Sequence, residues 1–365
     1  MAAGPIKVLV VDDSAMIRNF LRTTLDQEPD IQVVDVAGDP FMARDKFLKH
    51  HPDVITLDIE MPKMNGLTFL QRLMAAHPTP VVMFSTHTQE GTQATLRALR
   101  LGAVDFLAKP THNLSETLPA LREELVEKVR AAAGARVRRY RAPVDELKVP
   151  QKVEIDQVVA LTRHRPPSGG PLVVLLGAST GGTVALEQVL TRLPADSPPI
   201  AIVQHMPENF TLAFAQRLDQ LCQIRVSEGQ DGQSLPPGEA IIAPGGRHLL
   251  LEHNSLGYRV RVKDGPPVNR HKPSVDVLFR SGVNSAGANC LAILMTGMGD
   301  DGARGMKDLR EAKAFTVAQS EESCTVYGMP KAAVALEAVE RVVPLDRMPA
   351  LIMSLWQDSR RAAGG

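Results

Sequence analysis

Val173-Val174-Leu175-Leu176-Gly177-Ala178-Ser179-Thr180-Gly181-Gly182 is the stretch on which the fold turns. The apolar run Val173–Leu176 has the length of a buried strand and breaks into small residues. From Thr183 to Leu193 the apolar positions Leu186, Val189, Leu190 and Leu193 recur at helical spacing. Strand, glycine-flanked turn and helix in succession form the repeating unit of an α/β sheet. Such a turn holds the Ser179 hydroxyl beside the positive end of a helix dipole, and the two glycines keep side chains off the backbone amides. An incoming carbonyl could approach there, so the turn suits a nucleophilic serine in acyl transfer. Phosphate binding, simple packing or a serine cap on the next helix would use the same residues.

Moving outward, the same alternation continues. Ile200–Val203, Glu239–Ala243, Leu291–Met295 and Ala314–Ala318 read as further strands. Val184–Leu193, Thr211–Leu221, Ser274–Ser285, Met306–Ala312 and Met329–Val339 read as helices. Leu249–Leu251 and Arg259–Val262 make a hairpin around Asn254-Ser255. His205 follows the second strand, and Asp300 and Asp301 follow the strand Leu291–Met295. Together with Ser179 they put serine, histidine and aspartate at the carboxyl ends of strands, where this architecture binds ligands. A serine attacks a carbonyl, a histidine takes and returns the proton, and an aspartate orients the imidazole. Taken singly, His205 reads as a core-edge histidine and Asp300-Asp301-Gly302 as a turn.

The amino-terminal part alternates too. Ile6–Val11, Gln32–Val36, Val54–Leu57, Val81–Phe84 and Val104–Leu107 read as strands, and Ala15–Leu25, Phe41–Leu48, Leu67–Ala75, Thr92–Leu101 and Ser115–Val129 as helices. Five βα units predict a doubly wound parallel sheet. Asp12-Asp13, Asp58 and Lys109-Pro110 then fall on one sheet edge. Three converging carboxylates repel one another unless a hard dication sits among them, and oxygen ligands of this kind suit Mg²⁺. With metal and lysine beside it, Asp58 could act as nucleophile toward a phosphoryl group. Asp13 alone reads as a helix cap. The expected domains are 1–129 and 171–360, both α/β and sharing no motif. The arginine- and proline-rich stretch 130–170 between them reads as a solvated linker.

Lysine plus arginine and aspartate plus glutamate number 41 each, so charge offers no case for nucleic acid as a partner. No apolar run reaches bilayer length, which excludes direct membrane insertion. Met1–Pro5 leads into a strand without a signal-peptide core, so a cytoplasmic location is expected. Cys222, Cys290 and Cys324 are too dispersed for a disulfide frame or zinc site.

Residues 6–127 resemble a response-regulator receiver domain at Asp12-Asp13, Asp58, Met61-Pro62-Lys63-Met64-Asn65-Gly66, Ser85 and Lys109-Pro110. The resemblance implies a flavodoxin-like fold and phosphorylation of Asp58 by a histidine kinase. It implies Mg²⁺ at the acidic group of Asp12, Asp13 and Asp58 with the backbone carbonyl of Glu60, Ser85 bonded to the phosphoryl oxygen, and Phe106 at the aromatic switch position.

Residues 171–345 resemble the catalytic domain of chemotaxis protein-glutamate methylesterases, the CheB family. The resemblance rests on Gly177-Ala178-Ser179-Thr180-Gly181-Gly182, Gln204-His205-Met206-Pro207, Ala243-Pro244-Gly245, the stretch Asn269–Asp276, Thr296–Gly302, Cys324 and Tyr327–Pro330. It implies a Rossmann-like serine hydrolase with no cofactor for the ester chemistry. Ser179 would be the nucleophile, His205 the base and Asp301, rather than Asp300, its orienter, with an oxyanion site at Thr180 and Met298. The implied substrates are glutamate γ-methyl esters on methyl-accepting chemoreceptors, and receptor glutamines for deamidation. The alternative is a non-enzymatic regulator whose second domain docks a partner. The loop Arg270-His271-Lys272 reads either as a contact or as solvated, and His248 as structural.

Overall fold

Residues 4–61, 65–85, 89–109, 114–135, 171–208 and 210–363 are described by the computed structural model. They fall in two compact units, Met1–Pro150 and Gln151–Gly365. In the first, β1 (Ile6–Val11), β2 (Ile31–Ala37), β3 (Val54–Asp58), β4 (Val81–Ser85) and β5 (Asp105–Ala108) form a parallel sheet ordered β2-β1-β3-β4-β5. Helices α1 (Ala15–Leu25), α2 (Pro40–His50), α3 (Gly66–Ala76), α4 (Gln89–Arg100) and α5 (Leu114–Gly134) alternate with the strands. Val8 through Val10, Val54, Ile55, Leu57 and Val81 through Met83 are all fully buried. Helices cover both sheet faces, which is why these strands read as unbroken apolar runs.

Two sequence readings change here. The cap of α1 is Ser14, whose hydroxyl accepts the Ile17 amide at 3.4 Å, while Asp13 is exposed. Asp12 in turn accepts the Ser14 amide at 2.8 Å, so that short loop is held by its neighbours. The linker also begins later than residue 130, because α5 runs on to Gly134 with Val129, Ala131 and Ala132 buried. Arg130 donates to Asp30 at 2.7 Å and to Glu28 at 2.8 Å. The rest of the arginine run, Arg136 to Arg141, lies outside the described residues.

The second unit is built on a seven-stranded parallel sheet ordered β14-β13-β12-β6-β7-β9-β8. Its strands are β6 (Val173–Ala178), β7 (Ile200–Gln204), β8 (Arg225–Glu228), β9 (Glu239–Ile242), β12 (Cys290–Leu294), β13 (Phe315–Gln319) and β14 (Arg341–Val343). The helices are α6 (Gly182–Leu190), α7 (Phe210–Leu221), α8 (Val275–Ser285), α9 (Ala303–Glu311), α10 (Met329–Ala335) and α11 (Met348–Ala363). The expected hairpin is present as β10 (His248–Asn254) paired antiparallel with β11 (Gly257–Lys263). Ser281 and Ser285 of α8 tie it down: the Ser281 hydroxyl accepts the Leu251 amide and the Ser285 hydroxyl donates to the Leu251 carbonyl, each at 2.7 Å.

Both sheets reverse their winding at one point, between β1 and β3 in the first unit and between β6 and β12 in the second. The crevice at such a point opens beyond the carboxyl ends of the strands. Asp12, Asp13 and Asp58 occupy the first crevice, and Ser179 and Asp301 the second. Among the described residues no helix is long and apolar enough to cross a membrane.

Candidate active site

Strand β6 is buried along its whole length and delivers Ser179 into the turn before α6. The residue capping α6 is Gly181, in a left-handed conformation (φ 77°) and without a side-chain cap bond. Ser179 is therefore not spent on capping. Gly297 makes room for it, and Gly182 makes room for the neighbouring Gln204 side chain. A Cβ on Gly297 would stand 2.7 Å from the Ser179 Cβ, and a Cβ on Gly182 would stand 1.9 Å from Gln204 Oε1.

Strand β7 pairs with β6 so that Gln204 lies opposite Ala178. His205 extends that pairing, its amide donating to the Ala178 carbonyl at 3.1 Å. Residues 179 and 205 thus leave adjacent strands side by side. The Gln204 side chain ties the two departures together, donating to the carbonyls of Ser179 at 2.7 Å and His205 at 3.1 Å.

Asp301 completes the group. Its Oδ2 lies 2.8 Å from His205 Nε2. It also sits at the amino end of α8, accepting the Val275 amide at 2.6 Å and the Asp276 amide at 3.3 Å. The Ser274 hydroxyl and the Asn269 amide group each donate to Oδ1 at 2.8 Å. Burial alone would push this carboxyl up, but the hydrogen bond and charge of His205, the charge of His271 and the Asn269 bond outweigh it. Asp301 is held below the ordinary carboxylate range and stays ionised at the positive end of a helix.

An ionised carboxylate only accepts hydrogen bonds, so His205 donates from Nε2. Its Nδ1 is buried and has no hydrogen-bond partner among the described residues. The nitrogen left to act as base is therefore Nδ1. Thr180 and Met298 are buried at 8% and 5% exposure, in the turn after β6 and the loop after β12. That second loop is fixed because the amides of Gly328 and Met329 both donate to the Gly297 carbonyl. Asp300 is half-buried, against 1% exposure for Asp301.

The sequence reading left out several members of this site. His271, weighed as part of a basic loop, has its ring stacked on His205 with centroids 3.7 Å apart and planes 13° from parallel. Asp276 is fully buried behind Asp301 and accepts the Gly305 amide. Burial, and then the charge of Asp301, push its carboxyl up to about 8. Gln204 and Asn269 lie inside stretches that carry the family resemblance, but the partners of an amide side chain show only in the fold. His248 is structural as expected: it is fully buried with Nε2 against the Pro266 carbonyl at 3.0 Å.

In the first unit, carboxylate oxygens of Asp12, Asp13 and Asp58 lie within 4.8 Å of one another. Lys109 reaches Asp12 at 2.9 Å and Asp58 at 2.8 Å. One lysine against three acids leaves the pocket negative, and hard oxygen donors this close fit a divalent cation such as Mg²⁺. Glu60 contributes its amide to Asp58 Oδ1 at 3.3 Å. Phe106 is buried, with Lys128 Nζ 5.3 Å from its ring centroid. Ser85 ends β4, and its side chain lies outside the described residues.

Burial, aided by Asp12 and opposed by Lys109, pushes Asp58 up to about 6. The folded value exceeds the unfolded one, so ionising Asp58 costs stability. That cost is absent below about pH 4, grows as pH rises to about 6 and is constant beyond. In metal-free buffer Asp58→Asn is therefore expected to stabilise the protein at pH 7, by up to about 3 kcal/mol, with no gain at pH 4. Denaturant titrations at the two pH values check this, and a gain that is equal at both would contradict the assigned cause.

The family model described as CheB methylesterase matches residues 174–352, and that described as response regulator receiver domain matches residues 8–121. A Geobacter metallireducens protein named protein-glutamate methylesterase/protein-glutamine glutaminase 1 is 51% identical, covering 99% of this chain and 98% of its own length. A Hahella chejuensis protein named protein-glutamate methylesterase/protein-glutamine glutaminase 2 is 48% identical, covering 96% of each. The crystal structure of the Thermotoga maritima CheB methylesterase catalytic domain aligns with a TM-score of 0.50 at 32% identity, covering 51% of this chain and 99% of that one.

Proposed function

Since this chain belongs to the CheB methylesterase family, with a receiver domain preceding the methylesterase domain, we propose that Ser179, His205 and Asp301 hydrolyse glutamate γ-methyl esters on chemoreceptors under the control of Asp58. The observation that carries this reading is the 2.8 Å bond between His205 Nε2 and Asp301. It leaves Nδ1 as the base beside the strand that leads into Ser179.

Ser179 Oγ passes its proton to His205 Nδ1 and bonds to the ester carbonyl carbon. The oxyanion takes main-chain hydrogen bonds at Thr180 and Met298, donors of a kind worth roughly 3–4 kcal/mol each to the transition state. Collapse breaks the C–O bond, and methoxide takes the proton from His205 and leaves as methanol. Water then repeats the sequence on the acyl-serine and frees glutamate. Asp301 holds the imidazole in its tautomer and offsets its charge when protonated. A glutamine side chain would follow the same course with ammonia leaving.

Asp58 is the phosphoryl acceptor, and a CheA-type histidine kinase is the donor class. Asp12, Asp13, Asp58 and the Glu60 carbonyl would hold Mg²⁺, which neutralises the incoming phosphoryl group. Lys109 supplies a further positive charge. Ser85 and Phe106 respond to the phosphoryl group and couple it to the esterase.

Adding acetyl phosphate with Mg²⁺ to the full chain should raise methanol release from a peptide glutamate γ-methyl ester by roughly 5- to 150-fold, a coupling of about 1–3 kcal/mol. Asp58→Asn should remove that rise. Equal rates with and without the phosphodonor would end the regulatory part of the reading.

A further inference from the structure

We propose that His271 is a positioning residue for His205: its ring backs the imidazole, and the turn that carries it is anchored to Asp301. The proposal rests on the Ser179–His205–Asp301 reading and adds a residue outside those three.

Val268 and His271 exchange backbone hydrogen bonds of 3.1 and 2.9 Å, closing a two-residue turn at Asn269-Arg270. Both turn residues are left-handed, with φ of 45° and 72°. A hairpin turn of this kind requires positive φ twice, which asparagine tolerates and arginine does not favour. Side-chain bonds hold the turn in this conformation. The Asn269 amide group donates to Asp301 Oδ1 at 2.8 Å and to Asp276 Oδ2 at 2.5 Å. The turn is thereby fastened to the carboxylate that grips His205 Nε2. Its next residue, His271, lies flat on the His205 ring at 3.7 Å.

An imidazole held at one nitrogen still rocks about its Cβ–Cγ bond, because torsions at sp² rings have broad minima. A second ring stacked on its face removes that freedom and keeps Nδ1 aimed. Misalignment at this position reduces turnover without weakening substrate binding. Stacking needs a flat ring and not a ring nitrogen, so phenylalanine should serve where alanine fails.

The test measures kcat and KM for methanol release from a peptide glutamate γ-methyl ester, using the full chain activated with acetyl phosphate. His271→Ala should lower kcat roughly 10- to 100-fold with KM within about twofold. His271→Phe should recover kcat to within about threefold of the parent. If His271→Ala does not fold, His271→Gln replaces it and the same outcomes are read. Turnover unchanged in the alanine or glutamine variant, or phenylalanine falling as far as alanine, overturns the proposal. Ser179→Ala is run alongside: retained turnover there defeats the underlying triad reading, whereas its loss with unaltered His271 variants defeats this proposal alone.

Discussion

Ser179→Ala is expected to cut methanol release from a peptide glutamate γ-methyl ester by roughly 10⁴- to 10⁶-fold, the range seen when a serine nucleophile is removed. The effect is this large because no other group in the site can make the acyl bond. His205 Nδ1 is buried, and Asp301, at 1% exposure, is saturated with donors. The substitution should leave the fold intact, since α6 is capped by Gly181 without help from the hydroxyl. Phosphorylation of Asp58, in the other unit, should proceed as before. The same variant separates an esterase from a docking regulator: a protein that works by binding alone would keep its signalling output without Ser179.

Asp301→Asn is the second large effect, with an expected loss of about 10⁴-fold in kcat. The reason lies in the neighbours. His205 Nε2, Val275, Asp276, Ser274 and Asn269 all donate toward this side chain. A carboxylate accepts from all of them, whereas an asparagine has one acceptor oxygen and must turn its NH₂ against a donor. If the NH₂ faces His205, the imidazole takes the tautomer with hydrogen on Nδ1 and loses its basic nitrogen. The NH₂ then also opposes the Val275 amide, which shares Oδ2 with His205. An NH₂ in the Oδ1 place instead opposes the Asn269 amide group and the Asp276 amide. Either way a buried donor is orphaned at a cost of about 1–3 kcal/mol. Steady-state kinetics and an unfolding curve on the same variant measure both consequences, and unchanged kcat would contradict the role given to Asp301.

Much of this was legible in the sequence because the strands that carry the site are buried on both faces. Val173–Leu176, Ile200–Val203 and Leu291–Met295 are apolar throughout, and each leads into a loop that carries a residue of the site. Edge and surface elements left weaker marks. Strand β8, Arg225–Glu228, buries only Val226, and β14, Arg341–Val343, is exposed at two of three positions. Neither shows the continuous run that announces a central strand. Helix α11 was missed although Trp356 anchors it, with the indole donating to the Asp196 carbonyl at 2.7 Å.

The members of the site that went unread are those defined by contact rather than by local pattern. His271 looked like part of a charged loop because stacking on a residue 66 positions away leaves no trace nearby. The same holds for Asn269, whose importance lies in one NH₂ shared between two carboxylates. Asp13 followed the rule for a helix cap, yet Ser14 won the position once the Asp12 side chain had claimed its amide. Arg130 was assigned to a linker by composition, and its two acidic partners are about a hundred residues distant.

The claim at the centre of this account is that the residues at 179 and 301 act through one another and not in parallel. The rate of the double variant Ser179→Ala/Asp301→Asn tests it directly. Acting as a unit, the pair predicts a double variant no slower than Ser179→Ala alone, within about threefold, because nothing remains for the oriented imidazole to activate. A further loss equal to the full effect of Asp301→Asn would show independent contributions and contradict the triad.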